Sequence, residues 1–356
     1  MELPWGCMRY KVGIIGKFGA TGNWYDGQTV KTKNLAMLLE GTGECSLTRV
    51  DTCYFRKKNV KLMLDTLKCL FTCEHVFLMV SVNGMNFYLP FLYYLNRLTH
   101  CRIYHYVIGS ELLEMVQNNP KLVRYLNSLD ANWFEYESGT HYLQSRGVRN
   151  VSTLPNVKLL TPVDKATEYR SDEGIFRFCT FSRVMEEKGI TEAIRTIRAI
   201  NDESGRIVAT LDIYGQIEPG YAETLRGLLT ENENCATYKG IVDSQASVDV
   251  LKEYYALLFP TTWIGEGFPG TIIDAFAAGI PVIASDWNAN KEIIQHNKQG
   301  IIYPNGLDST LKDAIVRAIQ QPDVMANMRK DSREEFERYT PEAVLQTILS
   351  KMRETE

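Results

Sequence analysis

Two carboxylates, eight residues apart around a glycine-rich turn, carry the strongest chemical signal in this chain. Residues 259–279 read FPTTWIGEGFPGTIIDAFAAG, with Glu266 and Asp274 on either side of Gly267, Phe268, Pro269, Gly270 and Thr271. The apolar run ending at Pro260 predicts a strand. The glycines at 265, 267 and 270 predict a loop that a ligand can approach closely, and Pro269 is placed in a first helical turn. A helix is expected from about Gly270 to Ala278, stopped by Gly279. Free amides at a helix start, with the dipole behind them, attract an anion. A carboxylate repels phosphate but accepts hydrogen bonds from hydroxyls. A ligand with a diphosphate between two hydroxylated rings satisfies both conditions, with one acid for each ring. A strand, loop and helix with incidental surface acids fits the same letters, so the segment is weighed with two others.

The first is FSRVMEEKGITEAI (181–194), at another predicted strand end. Arg183 offers a planar fork and Lys188 a point charge, both suited to a pyrophosphate. Together they also suit the charge that builds on a leaving nucleoside diphosphate. A solvated arginine and a lysine beside Glu187 are the plainer alternative. The second is GKFGATGNWYDGQT (16–29), whose glycines follow a strand and open a helix at Gly27 and Gln28. This is a further anion-tolerant helix start. It does not fit G-x-G-x-x-G, so no nicotinamide or flavin site is read here.

These residues need strand ends and helix starts to hold them. Residues 11–16, 75–80, 102–108 and 131–136 read as strands, and 27–40 as an amphipathic helix. The polar, proline-bearing stretch 150–174 reads as a boundary. A second series of strands follows at 175–182, 209–215, 236–242, 256–260 and 280–285. Strands alternating with helices predict parallel sheets, hence an α/β chain of two doubly wound domains. The expected divisions are residues 1–160, 161–338 and a terminal helix in 339–356. Ligands of this architecture sit at the carboxyl ends of the strands, here in a cleft between the domains.

Composition narrows the field. The 356 residues are 45% hydrophobic and 23% charged, with a formal net charge of -4, which excludes disorder and gives no basic field for nucleic acid. The start, MELPWGCMRYKV, lacks a secretory signal's apolar run after a basic region, so a cytoplasmic location is expected. Residues 86–98 are too short to span a bilayer and read as a buried helix. The eight cysteines form no C-x-x-C pair, and Cys69 and Cys73 have no nearby histidine to complete a zinc site. Residues 56–73 carry Arg56, Lys57, Lys58, Lys61 and Lys68 among apolar residues. They suit peripheral contact with an anionic membrane, or an amphipathic helix covering a sheet.

At the Glu266–Asp274 segment, at Arg183 and Lys188, at the N-terminal glycine loop and at VSTLPN (151–156), the sequence resembles the family 4 retaining glycosyltransferases of the GT-B fold, of the bacterial surface-polysaccharide type. The resemblance spans nearly the whole chain. It implies transfer of a hexose-type sugar from a nucleotide diphosphate sugar, UDP-linked by commonest family choice, to a glycan or lipid-linked acceptor. The implied catalytic residues are Arg183, Lys188 and Glu266. Glu266 would hold sugar hydroxyls, and Asp274 ribose hydroxyls where the family carries a glutamate. Arg183 and Lys188 would hold the diphosphate. Gly267, Phe268, Pro269, Gly270 and Thr271 would line the donor, and Tyr238, Gly240, Ile241 and Val242 would lie beside the base. Gly27 and Gln28 would approach the donor phosphate or the acceptor.

Many members carry a histidine after the fourth N-terminal strand. The matching loop here reads YVIGSEL (106–112), so Gly109, Ser110 and Glu111, with Lys17, form the expected acceptor or sugar pocket. His105 falls within the apparent strand, where a core position is the alternative to a sugar contact. Members typically use no metal, and this chain shows no D-x-D at the diphosphate site, so neither metal nor cofactor is expected. A C-terminal helix returning to the N-terminal domain is also implied. Two other classes stay open on the same architecture: a sugar-nucleotide 2-epimerase, and a non-catalytic sugar-nucleotide-binding partner subunit.

Overall fold

The structure is a computed structural model, and it describes residues 10–19, 27–54, 59–304 and 308–354. The chain divides into two compact units, Met1–Lys158 with Pro341–Glu356, and Leu159–Thr340.

The first unit is built on six parallel strands: β1 (Tyr10–Gly16), β2 (Cys45–Asp51), β3 (His75–Met79), β4 (Arg102–Tyr106), β5 (Ala131–Phe134) and β6 (Val151–Thr153). Their order is β2-β1-β3-β4-β5-β6, so the winding reverses between β1 and β3. Strands covered on both faces are mainly apolar, and β3 is buried at all five positions, with its one polar residue, His75, 3.0 Å from the Tyr104 hydroxyl. The helix Pro341–Arg353 belongs to this unit, as expected. Val344, Ile348 and Met352 are buried along it, and Arg353 lies 3.6 Å from Glu44. Their i, i+4, i+8 spacing puts all three on one face.

The second unit repeats the plan with β7 (Phe176–Phe181), β8 (Ala209–Tyr214), β9 (Ala236–Gly240), β10 (Ala256–Phe259), β11 (Val282–Ser285) and β12 (Gly300–Tyr303), in the order β12-β11-β10-β7-β8-β9. Phe178, Ile194, Leu211, Leu258 and Ile283 are among the residues of its core. Here the winding reverses between β10 and β7, which pair directly through Ala256↔Phe178 and Leu257↔Cys179. The loops leaving these two strands are therefore neighbours, although about eighty residues of chain separate them.

Three strands escape the sequence reading: β2, β6 and β12. CSLTRVD is an edge strand of mixed polarity with only Cys45 and Val50 buried, and β6 has three residues. The helix expected to be buried over 86–98 runs Val82–Thr99 and buries one face only. Met85, Tyr88, Leu89, Leu92 and Tyr93 are buried, while Tyr94 and Leu98 are exposed. Cys69 and Cys73 are free, with sulfurs 4.0 Å apart. Cys7, residues 20–26 of the N-terminal glycine loop, and Arg56, Lys57 and Lys58 lie outside the described residues.

Candidate functional site

The β7–β10 adjacency is closed by a glycine that nothing else can replace. Gly189 has φ +71°, and a Cβ there would sit 2.1 Å from the carbonyl oxygen of Pro260. The close approach lets Thr262 N donate to Glu187 O at 2.7 Å. It also brings Lys188 against Glu266. Lys188 Nζ donates to Glu266 Oε2, and Thr261 Oγ1 donates to the same oxygen at 3.0 Å. The two charged side chains are only 8% and 10% exposed. Taking both charges out of water is costly, and each is tolerated because the other is there. Glu266 Oε1 accepts no hydrogen bond from the described residues.

The turn that carries Glu266 is fixed by polar side chains from the loop after β11. Glu266 N donates to Trp263 O at 3.1 Å, and Trp287 Nε1 donates to the same carbonyl at 2.7 Å. Asn288 Nδ2 donates to Glu266 O at 2.9 Å. Asn288 has φ +46°, a left-handed conformation that asparagine tolerates better than most residues. Ser285 Oγ anchors Thr261 O at 2.7 Å.

The helix after the turn spans Gly270–Ala277. Pro269 is its cap residue rather than a residue of the first turn, and no side chain caps the start. An uncapped start leaves backbone donors for an anion. Thr271 Oγ1 is buried without a partner among the described residues. Asp274 is 1% exposed and accepts from Ser247 Oγ at 2.8 Å. Phe268 packs edge-on against Tyr339, with ring centroids 5.4 Å apart. The glycines at 265, 267 and 270 are not in the left-handed region, which in this unit is taken by Gly174, Gly189, Gly205, Gly215, Gly240 and Gly279. Their contribution is small size rather than unusual dihedrals.

Arg183 is exposed at the end of β7, with its guanidinium carbon 5.0 Å from the Trp263 ring centroid. Tyr238 hydroxyl donates to Gly215 O at 2.8 Å, and Ile241, just past Gly240, is 50% exposed. Val242 is half-buried beside it.

In the first unit, Gly27 and Gln28 open the helix Gly27–Gly41, and Gln28 Nε2 donates to Met79 O at 3.3 Å. Lys17 follows β1 directly. Gly109 (φ +78°) and Ser110 lead into the helix Glu111–Asn118. Burial raises the Glu111 carboxyl above its usual range, and the nearby Glu135 charge adds to this. His105 is fully buried in the sheet, with Nδ1 3.2 Å from Asn132 Oδ1. Burial pulls its pKa down to about 4, the Asn132 hydrogen bond opposes this, and the Lys31 charge adds to the lowering.

The sequence reading missed a buried ion pair in this unit. Lys31 Nζ donates to Glu135 Oε1 and to Val107 O, both at 2.7 Å, and lies 3.6 Å from the Tyr106 ring centroid. It also missed Thr261, Ser247, Trp263 and Asn288. Among the described residues, no group of three or more histidines, cysteines or carboxylates is placed to hold a metal ion.

Residues 176–321 match the protein family described as "Glycosyl transferases group 1". Over 148 residues the chain is 26% identical to the amylovoran biosynthesis glycosyltransferase AmsK of Erwinia amylovora, covering 40% of this chain and 36% of that protein. The chain thus spans about a third of that relative's length. Among solved structures it resembles Anabaena Alr3699/HepE in complex with UDP, with a TM-score of 0.74, 14% identity, and 97% of this chain and 100% of that one covered. It also resembles the lipopolysaccharide outer core galactosyltransferase WaaB in its apo form, with a TM-score of 0.68, 16% identity, and 97% and 100% covered. At such identities these likenesses show the fold, GT-B, and no more.

Proposed function

We propose, from the match of residues 176–321 to the group 1 glycosyltransferases and the GT-B fold, that the chain is a retaining hexosyltransferase of family 4. In this reading it takes sugar from a UDP-sugar and passes it to a glycan or lipid-linked acceptor during cell-surface polysaccharide synthesis. The observation that carries the donor reading is the state of Glu266. One carboxylate oxygen is occupied by Lys188 and Thr261, and the other accepts nothing from the described residues, beside a helix start that no side chain caps. That arrangement offers an acceptor to sugar hydroxyls and backbone donors to a diphosphate within one short segment. The UDP reading draws on the HepE complex, and the polysaccharide reading on the amylovoran biosynthesis enzyme AmsK and the lipopolysaccharide outer core enzyme WaaB.

In this reading residues 161–338 bind the donor and residues 1–160 the acceptor, with 339–356 returning to the latter. Glu266 orients the sugar. Gly267, Phe268, Pro269, Gly270 and Thr271 line the diphosphate and sugar, and Asp274, with Ser247, holds the ribose. Tyr238, Gly240, Ile241 and Val242 flank the base. Arg183 and Lys188 meet the charge on the leaving diphosphate, which is electrostatic stabilisation of the transition state. The leaving phosphate oxygen takes the acceptor's proton on the face it departs from, so the anomeric configuration is kept. Lys17, Gly27, Gln28, Gly109, Ser110 and Glu111 serve the acceptor side. With two cations on the diphosphate, no metal is required, and excess EDTA should leave the rate within about twofold.

Among the described residues no helix is long and apolar enough to cross a membrane. The helix Asn59–Thr72 nevertheless exposes Val60, Leu64 and Phe71, with Lys61 and Lys68 also exposed. This combination suits peripheral contact with an anionic membrane at a lipid-linked acceptor. Sedimentation with phosphatidylglycerol vesicles should fall when Leu64 and Phe71 are changed to glutamate, and unchanged sedimentation would end the membrane reading.

The activity itself is tested by screening UDP-sugars for UDP release with an acceptor extract. Wild type should turn over at least one donor, and Glu266→Ala and Lys188→Ala should each lose on the order of 100-fold. If both variants keep wild-type rates, this pocket is not where the chemistry occurs.

A further inference from the structure

The Arg183 guanidinium has no hydrogen bond or ion pair to any described residue. It does have a surface, the face of the Trp263 ring, with the guanidinium carbon 5.0 Å from the ring centroid. A planar guanidinium over an aromatic face is attracted by the ring's quadrupole and presents its N–H donors outward from its edge. A fork held in this way loses less freedom when it closes on a ligand than one that sweeps through solvent.

The platform itself is fixed. Trp263 N donates to Thr261 Oγ1 at 3.2 Å, and Thr261 Oγ1 donates in turn to Glu266 Oε2 at 3.0 Å. Trp263 O accepts from Trp287 Nε1 at 2.7 Å and from Glu266 N at 3.1 Å. The backbone of Trp263 thus belongs to the turn that presents Glu266, while its ring carries Arg183. Of these contacts, removing the ring takes away only the one to Arg183.

We propose that Trp263 is a positioning residue for the diphosphate of the donor: its ring sets the plane and reach of the Arg183 guanidinium and references that fork to the turn carrying Glu266. The inference rests on the donor-site reading above and adds to it a residue that acts through another. The ligand class is a nucleoside diphosphate, and the part sensed through Trp263 is the terminal phosphate.

The test is a double-mutant cycle read by calorimetric titration of UDP and, separately, UMP. The proteins are wild type, Trp263→Leu, Trp263→Phe, Arg183→Met and the Leu/Met double variant, each matched to wild type by far-UV spectrum and melting temperature. Trp263→Leu should weaken UDP by about three- to tenfold while leaving UMP within about twofold, because the stacking acts on the terminal-phosphate grip alone. Trp263→Phe keeps an aromatic face and should recover most of the UDP affinity. In the Arg183→Met background, Trp263→Leu should cost nothing more. If the two losses multiply, or if UMP weakens as much as UDP, Trp263 does not act through Arg183 and the inference fails alone. If Arg183→Met costs no UDP affinity, the donor reading fails and takes the inference with it. Trp263→Phe keeps the test decisive should Trp263→Leu not fold, since in that case its UDP affinity must stay within about threefold of wild type.

Discussion

Lys188 and Glu266 are two charges that the fold takes largely out of water and sets against each other. Removing one partner strands the other, which typically costs about 3–5 kcal/mol, whereas replacing both with neutral groups is far cheaper. Lys188→Met should therefore lower unfolding free energy by about 3 kcal/mol, measured by urea denaturation. The Lys188→Met/Glu266→Gln double variant should regain most of that stability while remaining inactive. A double variant no more stable than the single would mean that the pair is not the source of the loss. Both residues were legible in the sequence because each sits in a local pattern, at a predicted strand end ahead of a helix. Their pairing was not legible, since it joins positions 78 residues apart. The same holds for Lys31 and Glu135, 104 residues apart, and for the Ser247–Asp274 hydrogen bond. A side chain's local spacing says which element it stands on and not which loop it will meet.

At the scale of elements, the site exists because β7 and β10 are neighbours and because a glycine lets their loops touch. Gly189→Ala combines a left-handed backbone with a Cβ driven into a backbone carbonyl. Gly205 has a similar φ of +64° but open space around its Cβ position. The comparison separates dihedral strain from collision. Gly205→Ala should cost about 1 kcal/mol and leave activity intact, while Gly189→Ala should cost about 2–4 kcal/mol and abolish turnover. Equal costs, measured by denaturation, would show that the close approach at Pro260 is unimportant. Nine of the twelve described strands are legible, and those buried throughout, β3, β5, β10 and β11, stand out as apolar runs because both faces of the strand are covered. β2 and β6 do not, because polar positions on an edge strand and a length of three residues leave too little pattern.

At the scale of the whole molecule, two sheets of six parallel strands each reverse their winding at one point, and ligands of such sheets bind at the carboxyl ends beside that reversal. In the second unit the reversal coincides with Arg183, Lys188 and Glu266. In the first it coincides with Gly16 and the start of the helix at Gly27. The return of Pro341–Arg353 to the first unit was implied by the family resemblance. The helix was legible as an amphipathic stretch, but its destination was not written in its own sequence. The activity proposed for the Glu266 site is retaining transfer from a nucleotide sugar. It is tested most directly by time-resolved proton NMR of wild type with an α-linked UDP-sugar and its acceptor, recorded before the product equilibrates. UDP should be released together with the appearance of a new α-glycosidic anomeric signal. A β-linked product, an epimerised donor, or no turnover of any UDP-sugar would contradict it.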